Sequence, residues 1–293
     1  MGESSIKKVT PYKVFSVIIL ILLAILFVFP LYWIVTGAFK TNAAINAPQP
    51  DWFPKEWVLD NFVKLFTKRK TDHIFGFFGP AGPAAIRWLV NTVFMAVMAM
   101  VLTCVTATMA GYALAKKRFT GSKILFTLIV CAMALPKQVI LIPLIREMST
   151  LKLVDNIWAV ILPTVGWPFG VFLMKQFAES VPGEMLEAAR IDGASEARTF
   201  TQIVTPLVKP GIGALAIFTF INSWNDYFMQ LIMLSSNDNL TISLGIAKVQ
   251  AENATDFGMI MAGAALAAVP ILIVFIAFQK YFTQGIALGA VKG

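Results

Sequence analysis

The sequence predicts an all-α integral membrane protein that crosses the bilayer six times, with both termini in the cytoplasm. Of its 293 residues, 58% are hydrophobic and 14% are charged, and the mean hydropathy is +0.75. Soluble domains contain about 25% charged residues. A soluble fold of this length has too little interior to cover so much apolar surface, so the composition indicates a chain that lies largely in lipid.

Six apolar segments are long enough to cross a bilayer, which takes about 20 residues of α-helix. The first run, from Val14 to Phe39, has 26 residues without a charge. The apolar region of a cleaved signal peptide has about 7–15 residues, so this run is interpreted as a retained span. We expect residues 14–293 to form one transmembrane domain. Its predicted spans are 14–38, 88–114, 124–145, 156–174, 207–234 and 257–279.

The distribution of Lys and Arg predicts that the N-terminal residues 1–13 are cytoplasmic. The short connection 115–123 would then also be cytoplasmic, and the outer segment 235–256 holds one Lys against three acidic residues. The first outer loop, 40–87, is basic and does not fit this rule. The basic residues of the short connection are Lys116, Lys117, Arg118 and Lys123.

The net charge of +8 is explained by such loops, so no nucleic-acid partner is expected. Several enzyme classes are excluded by missing motifs. With one histidine, His73, the chain cannot form the H-E-x-x-H site of a zinc protease, and it lacks G-x-S-x-G. It also lacks the phosphate loop G-x-x-x-x-G-K-[ST]. We expect no catalysis and no cofactor in this chain.

The longest cytoplasmic connection, 176–206, has the pattern of two short helices joined by a turn. Glu184 and Glu187 favour the positive end of a helix dipole, and Arg190 is spaced to pair with Glu187. Gly193 fits a position of positive φ that ends a helix. The pattern alone fits either a solvated loop or a short helix that enters a groove. Further signals are Pro182 in the first helical turn, Ser195 as a cap for the second helix, and the small Ala188 and Ala189.

Two adjoining stretches of this connection, "EAARIDGAS" and "FTQIVTPLVKP", resemble the EAA motif of bacterial ABC-importer permeases. Thr205 stands where that motif usually has Leu. Most of the chain resembles the six-span permease subunit of maltose-type carbohydrate importers. Its further matching stretches are "GYALAKKRFTG", "ILPTVGWPFGVFLMKQF", "NSWNDYF" and "YFTQGIALGAVKG". The matching residues of the EAA motif are Glu187, Ala188, Ala189, Gly193, Ile203 and Pro206.

This resemblance implies the ABC type I importer permease fold in a bacterial inner membrane. It implies a second homologous permease, two cytoplasmic ATPase subunits that bind ATP and magnesium, and an extracytoplasmic substrate-binding protein that delivers a carbohydrate. The EAA loop would couple to the ATPase, and the tail 281–293 would make a second contact. The residues implied for coupling are Glu187, Ala188, Ala189, Arg190, Asp192, Gly193 and Ala194, and those for the tail contact are Gly289, Val291, Lys292 and Gly293.

A polar stripe in the fifth span is a candidate lining of the translocation path. Thr219, Asn222, Ser223 and Asp226 recur at helical spacing, and Asn225 flanks them. Polar groups avoid lipid, so the stripe should face the interior of the bundle. Two alternatives stay open: the side chains serve interhelical hydrogen bonds, or Asp226 lies at the outer interface.

The fourth span contains helix-breaking residues, Pro163, Gly166, Pro168 and Gly170. Broken helices at membrane depth are tolerated where they line a cavity or are buried in protein. We therefore interpret these residues as a gate or hinge, with an ordinary proline kink as the alternative.

A secondary transporter or channel that needs no ATPase is the alternative function. That class typically pairs ionisable residues in the membrane and contains inverted repeats. Neither is evident here, and Lys137 and Asp226 are isolated in the sequence.

The basic first outer loop favours an acidic saccharide or an acidic binding protein. Within that loop, Pro50–Phe66 is either a docking surface for an external partner or an interfacial helix.

Overall fold

A computed structural model describes residues 10–49, 51–74, 79–252 and 256–290, with side chains up to Gln279 in the last stretch. The chain divides into two compact units. The first contains the residues up to Lys68 together with Lys248–Leu266, and the second contains Arg69–Ala247 and the residues from Ala267 onward.

The first unit begins with one long apolar helix. α1 (Pro11–Ala38) starts with proline, whose fixed φ and missing N–H suit a first helical position. Its side chains are exposed along the most apolar stretch, as expected of a helix that faces lipid. Only its last turn, Thr36, Gly37 and Ala38, is buried. Two short helices follow, α2 (Asn42–Ile45) and α3 (Asp60–Lys68).

A buried amide connects α3 to the end of α1. The Asn61 side chain donates hydrogen bonds of 2.9 Å to the carbonyl of Ala38 and 2.8 Å to that of Lys40. These bonds satisfy two carbonyls that have no partner inside a helix end. Ala38, Ala262 and Ala265 form the small core of this unit.

The second unit is built around one 33-residue helix, α4 (Ala84–Lys116). Two residue pairs, β1 (Lys70–Thr71) and β2 (Gly82–Pro83), form a short antiparallel ladder immediately before it. Small buried side chains recur along α4, so neighbouring helices can pack closely against it. They include Ala85, Ala96, Ala99, Ala107 and Gly111.

The remaining helices follow α4 in the chain. Several are short because Pro, Gly or a polar residue interrupts an apolar stretch. They are α5 (Ser122–Met133), a 3₁₀ turn (Lys137–Ile140), α6 (Leu141–Thr150), α7 (Trp158–Val165), α8 (Pro168–Glu179), α9 (Gly183–Ile191), α10 (Glu196–Thr199), a π-helical turn (Phe200–Val204), α11 (Thr205–Leu207), α12 (Lys209–Asn225), α13 (Tyr227–Met233), α14 (Ile242–Glu252) and α15 (Phe257–Ala290).

Breaks divide several of the predicted spans. Among the described residues, four helical stretches are long and apolar enough to cross a membrane, or up to six if each bent pair counts as one span. The chain bends by 102° between Met133 and Lys137 and by 77° between Leu207 and Lys209. The fifth span, expected to continue to residue 234, is interrupted at Asp226, where the backbone leaves the helical region (φ −76°, ψ 61°).

The acidic residue before α15 connects three elements of the first unit. The Asp256 carboxylate accepts hydrogen bonds from the Asn42 amide at 2.8 Å and from the Met259 N–H at 3.2 Å, and it lies 3.6 Å from the Lys64 ammonium. Burial alone would raise the pKa of Asp256, but the hydrogen bonds from Asn42 and Met259 and the charge of Lys64 outweigh it and lower that pKa.

Replacing Asp256 by alanine should therefore destabilise the first unit. We expect a loss of about 1–2 kcal/mol, since a helix cap and a charged hydrogen bond disappear together. The measurement is the rate of limited proteolysis within this unit, with the exposed Asp60→Ala variant as the matched control. In the wild type this stabilisation should be complete above the ordinary Asp pKa of about 3.9 and lost as the pH falls through the lower folded pKa. Equal rates for the two variants would contradict the prediction.

Candidate functional site

The charged connection predicted between the fourth and fifth spans forms two short helices joined by a tight turn. α9 follows Pro182, which is its N-cap residue. Gly193 has φ +75°, and the Ala194 N–H donates 2.9 Å to the Ala189 carbonyl, which closes α9 with a left-handed residue. The Ser195 hydroxyl accepts from the Arg198 N–H at 3.3 Å and caps α10. The predicted turn and cap are both confirmed.

α9 packs on the protein through one face only. Ala189 is buried, whereas Glu187, Ala188 and Arg190 are exposed. Ile191 is 86% exposed. At 3.6 residues per turn, Glu187 and Ile191 each lie about 160° around the helix from Ala189. The outward face of α9 therefore presents a carboxylate beside an isoleucine that the described chain does not cover.

The basic end of α4 anchors this connection. The Lys116 ammonium donates to the carbonyls of Glu179 at 3.0 Å and Val181 at 2.7 Å, which lie immediately before α9. The Lys117 ammonium pairs with the Glu196 carboxylate of α10 at 2.5 Å. Two lysines that serve as orientation signals in the sequence thus also attach the segment before α9 and the start of α10 to α4.

The Lys117–Glu196 pair also perturbs both pKa values. The hydrogen bond from Lys117 lowers the pKa of Glu196, and the nearby Arg190 charge lowers it further. Burial would lower the pKa of Lys117, but hydrogen bonds with Glu196 and Tyr112 raise it. The pair therefore stays ionised at neutral pH. Glu196 was not predicted as a functional residue, because its only signal in the sequence is its position directly after the capping Ser195.

A separate cavity of about 560 Å³ opens in the second unit. Its wall combines aromatic rings with a few polar side chains, as is usual for small-molecule sites. Trp167 and Phe169 have ring centroids 5.0 Å apart, and Phe169 meets Phe218 edge to face at 5.7 Å. The lining residues are Lys137, Trp167, Phe169, Phe218, Ile221, Asn222, Asn225 and Asp226.

An ion pair crosses this cavity. The Lys137 ammonium lies 2.8 Å from the Asp226 carboxylate and 3.4 Å from the Asn222 side-chain oxygen. The expectation that Lys137 and Asp226 are isolated is therefore wrong. They are 89 residues apart in sequence, and only the bends of the chain bring them together.

The polar stripe of the fifth span divides between two environments. Asn222, Asn225 and Asp226 line the cavity, whereas Thr219 and Ser223 are buried at 0% and 1% exposure. Within the described part of the chain, the hydroxyls of Thr219 and Ser223 have no hydrogen-bond partner. Asn222 also accepts a hydrogen bond from Lys137. This is the kind of interhelical contact that the sequence left open as an alternative role for the stripe.

The comparisons with known proteins identify the family. The model of the binding-protein-dependent transport system inner membrane components matches residues 104–288, which is more than half of the chain. The chain belongs to this family. It is thus a multi-pass inner-membrane protein of a transport system. The members of this family are transport components rather than enzymes.

Similar proteins extend the match over nearly the whole chain of this family member. The arabinooligosaccharides transport system permease protein AraQ of Halalkalibacterium halodurans is 34% identical and covers 92% of this chain and 93% of its own. The protein of the same name from Bacillus subtilis is 31% identical and covers 96% of each.

One solved structure supports the fold of the family member. It is a bacterial ABC transporter involved in the import of the acidic polysaccharide alginate, with a TM-score of 0.77 and 21% identity. The alignment covers 92% of this chain and 96% of that one. At this identity the likeness concerns the fold alone.

The residues expected at a gate lie around the break between α7 and α8. Gly166 ends α7, Trp167 lies between the helices, and Pro168 begins α8. Pro163 lies inside α7. Gly170 is buried, and a Cβ there would lie 3.3 Å from Ala107 and Leu215, so it serves close packing on α4 and α12.

The expected tail contact lies at the limit of the described structure. Gly289 belongs to α15, in the part whose side chains are not described, and Val291, Lys292 and Gly293 lie outside the described residues. The tail contact to an ATPase therefore stays a prediction.

Proposed function

We propose that this chain is a permease subunit of an ATP-driven ABC importer for oligosaccharides. Both AraQ relatives are named for the transport of arabinooligosaccharides, and the solved transporter of the same fold is involved in the import of alginate. These saccharide chains support the substrate class. In this proposal a second homologous permease completes the translocation path, and an extracytoplasmic binding protein delivers the substrate. The chain crosses the membrane six times with both termini inside, and ATP and magnesium bind in partner ATPases.

The exposed face of α9 is the observation that supports coupling. Ile191, which is 86% exposed on this charged helix, would bury its apolar surface in a protein cleft, and such burial is favourable. Glu187 beside it would pair with a basic group of the ATPase, while Ala188 lets the helix approach closely. Arg190, Asp192, Gly193 and Ala194 complete the proposed contact.

The attachment of α9 allows a displacement there to reach the spans. Lys116 attaches the segment before α9 to α4, and Lys117 attaches the start of α10 to α4. α4 in turn packs closely on α8, where the Gly111 Cα faces the backbone of Met174 and Lys175. Closely packed helices move as bodies rather than deform continuously. Closure of the ATPase would therefore move α4 and α8 together around the break at Gly166 and Trp167.

The test is assembly with the neighbouring gene products. The chain, coexpressed with them, should copurify with an ATPase whose hydrolysis depends on the binding protein and an oligosaccharide. Ile191→Asp should reduce the copurified ATPase about tenfold or more, since burying one isoleucine contributes about 1.5–3 kcal/mol.

Ile191→Leu is the matched control, because it keeps an apolar side chain of about the same size at the same exposed position. It should leave the yield of ATPase unchanged. Failure of the wild type to copurify with any ATPase would contradict the proposed function. Full ATPase recovery with Ile191→Asp would contradict the docking role of α9.

A further inference from the structure

Three helix breaks converge on the cavity of the second unit. Lys137 follows the bend after α5, Trp167 lies between α7 and α8, and Asp226 lies between α12 and α13. Irregular backbone at membrane depth occurs where it lines a cavity or is buried in protein, and discontinuous helices build substrate sites in other transporters. The convergence marks this cavity as a site rather than a packing defect.

The charges in this cavity cancel. Among the described lining residues, Lys137 is the one cation and Asp226 is the one anion, and they are in direct contact at 2.8 Å. The other polar groups are the neutral amides of Asn222 and Asn225. Asp226 is only 13% exposed in its side chain, whereas Lys137 is 49% exposed. The carboxylate thus sits deeper than the ammonium that it neutralises.

We propose that the Lys137–Asp226 pair makes this cavity selective for uncharged saccharides, with Asp226 as the specificity-determining residue. The proposal rests on the proposed function and names the substrate class of the same path. It departs from the expectation of an acidic saccharide drawn from the basic first outer loop, because the charge at the cavity itself is balanced.

The chemistry of the lining suits a neutral sugar. Sugar hydroxyls can donate to the Asp226 carboxylate and accept from the Lys137 ammonium without breaking their contact. Trp167 and Phe169 supply apolar surface for the sugar ring. A uronate carboxylate must instead compete with Asp226 for Lys137, or lie beside Asp226 as a like charge, and both arrangements are electrostatically unfavourable.

Asp226→Asn is the decisive variant. It keeps the side-chain shape and the cap of α13, where Asp226 accepts from the Met229 N–H, since asparagine is as good an N-cap as aspartate. It leaves the Lys137 charge uncompensated. The double variant Lys137→Gln with Asp226→Asn removes both charges and is the matched control.

The experiment measures equilibrium binding of two probes to the purified complex in nanodiscs, without the binding protein, so that the membrane path alone selects. The probes are arabinotriose, which is neutral, and trigalacturonate, which is anionic. The wild type should prefer arabinotriose. Asp226→Asn should raise the affinity for trigalacturonate relative to arabinotriose about tenfold or more at low salt, and the double variant should restore the wild-type ratio. High salt should reduce the gain.

A chemical reporter measures the same charge without any sugar. Asn225→Cys places a thiol on the cavity wall, in a Cys131→Ser background because Cys131 is exposed whereas Cys104 is buried. Anionic and cationic methanethiosulfonates then compete for this thiol. Asp226→Asn should raise the ratio of anionic to cationic labelling rates about tenfold.

The outcomes separate the two proposals. An unchanged ratio of probe affinities or an unchanged labelling ratio in Asp226→Asn overturns the selectivity proposal. An equal loss of affinity for both probes also overturns it, because a purely structural ion pair would give that result. A wild-type complex that binds neither probe and has no oligosaccharide-dependent ATPase contradicts the proposed function itself.

Discussion

Under the proposed function, replacing Glu187 by lysine is expected to reduce oligosaccharide uptake strongly while leaving the chain inserted in the membrane. Glu187 is exposed on the outward face of α9, so its reversal disturbs no contact within the described chain. Against a basic group of the ATPase, the new lysine would leave two like charges at a desolvated contact, which costs about 2–5 kcal/mol. Uptake should fall by a factor of roughly 30 or more, which is what about 2 kcal/mol implies.

The measurement pairs uptake with ATP hydrolysis by the purified complex. Glu187→Gln, which removes the charge without reversing it, should lose less activity than Glu187→Lys. Thr201→Lys, at another exposed position of the same connection, controls for added positive charge and should retain uptake. Wild-type uptake with wild-type hydrolysis in Glu187→Lys would exclude the coupling role of this residue.

Gly111→Val should have the largest effect on folding. A Cβ on Gly111 would lie 2.7 Å from the Lys175 nitrogen and 2.7 Å from the Met174 carbonyl carbon. Both atoms are backbone, so no side chain can turn aside, and α4 and α8 must separate. Overpacking typically costs about 1–3 kcal/mol and occasionally more, and the upper part of this range applies where backbone must move. We expect little monodisperse protein and a clearly lower Tm in detergent.

Gly183→Val is the matched control for this variant. Gly183 is the first residue of α9, and nothing lies within 4 Å of a Cβ built there. This control should keep the yield and the Tm of the wild type. If Gly111→Val matched it in both, the close approach of α4 and α8 would not be needed for stability.

The sequence predicts the local features of this protein well. Long uncharged runs anticipate α1 and α4, because a run of that length has no stable place outside lipid. The left-handed helix end at Gly193 and the N-cap at Ser195 are predictable because each of these positions requires a particular type of residue. Such features depend on neighbours a few residues away, which the sequence displays directly.

Features that depend on distant contacts are not predictable in this way. Helical spacing places Thr219, Asn222, Ser223 and Asp226 on one side of α12, but the packing of α12 on α4 determines which part of that side is buried. Ser223 and Asn222 differ by only about 100° around the helix, yet one is buried and the other lines the cavity. The Lys137–Asp226 pair was missed for the same reason, since three backbone breaks create the meeting point.

The turn after α9 places a constraint of handedness rather than of size on this chain. Gly193 has φ +75°, and nothing lies within 4 Å of a Cβ built there. Room for a larger group is therefore ample, but an L-amino acid resists the required twist. A mirror-image alanine would fit without strain and would stiffen the joint. Among the natural amino acids glycine therefore suits this position best, with asparagine or aspartate as the least unfavourable substitutes.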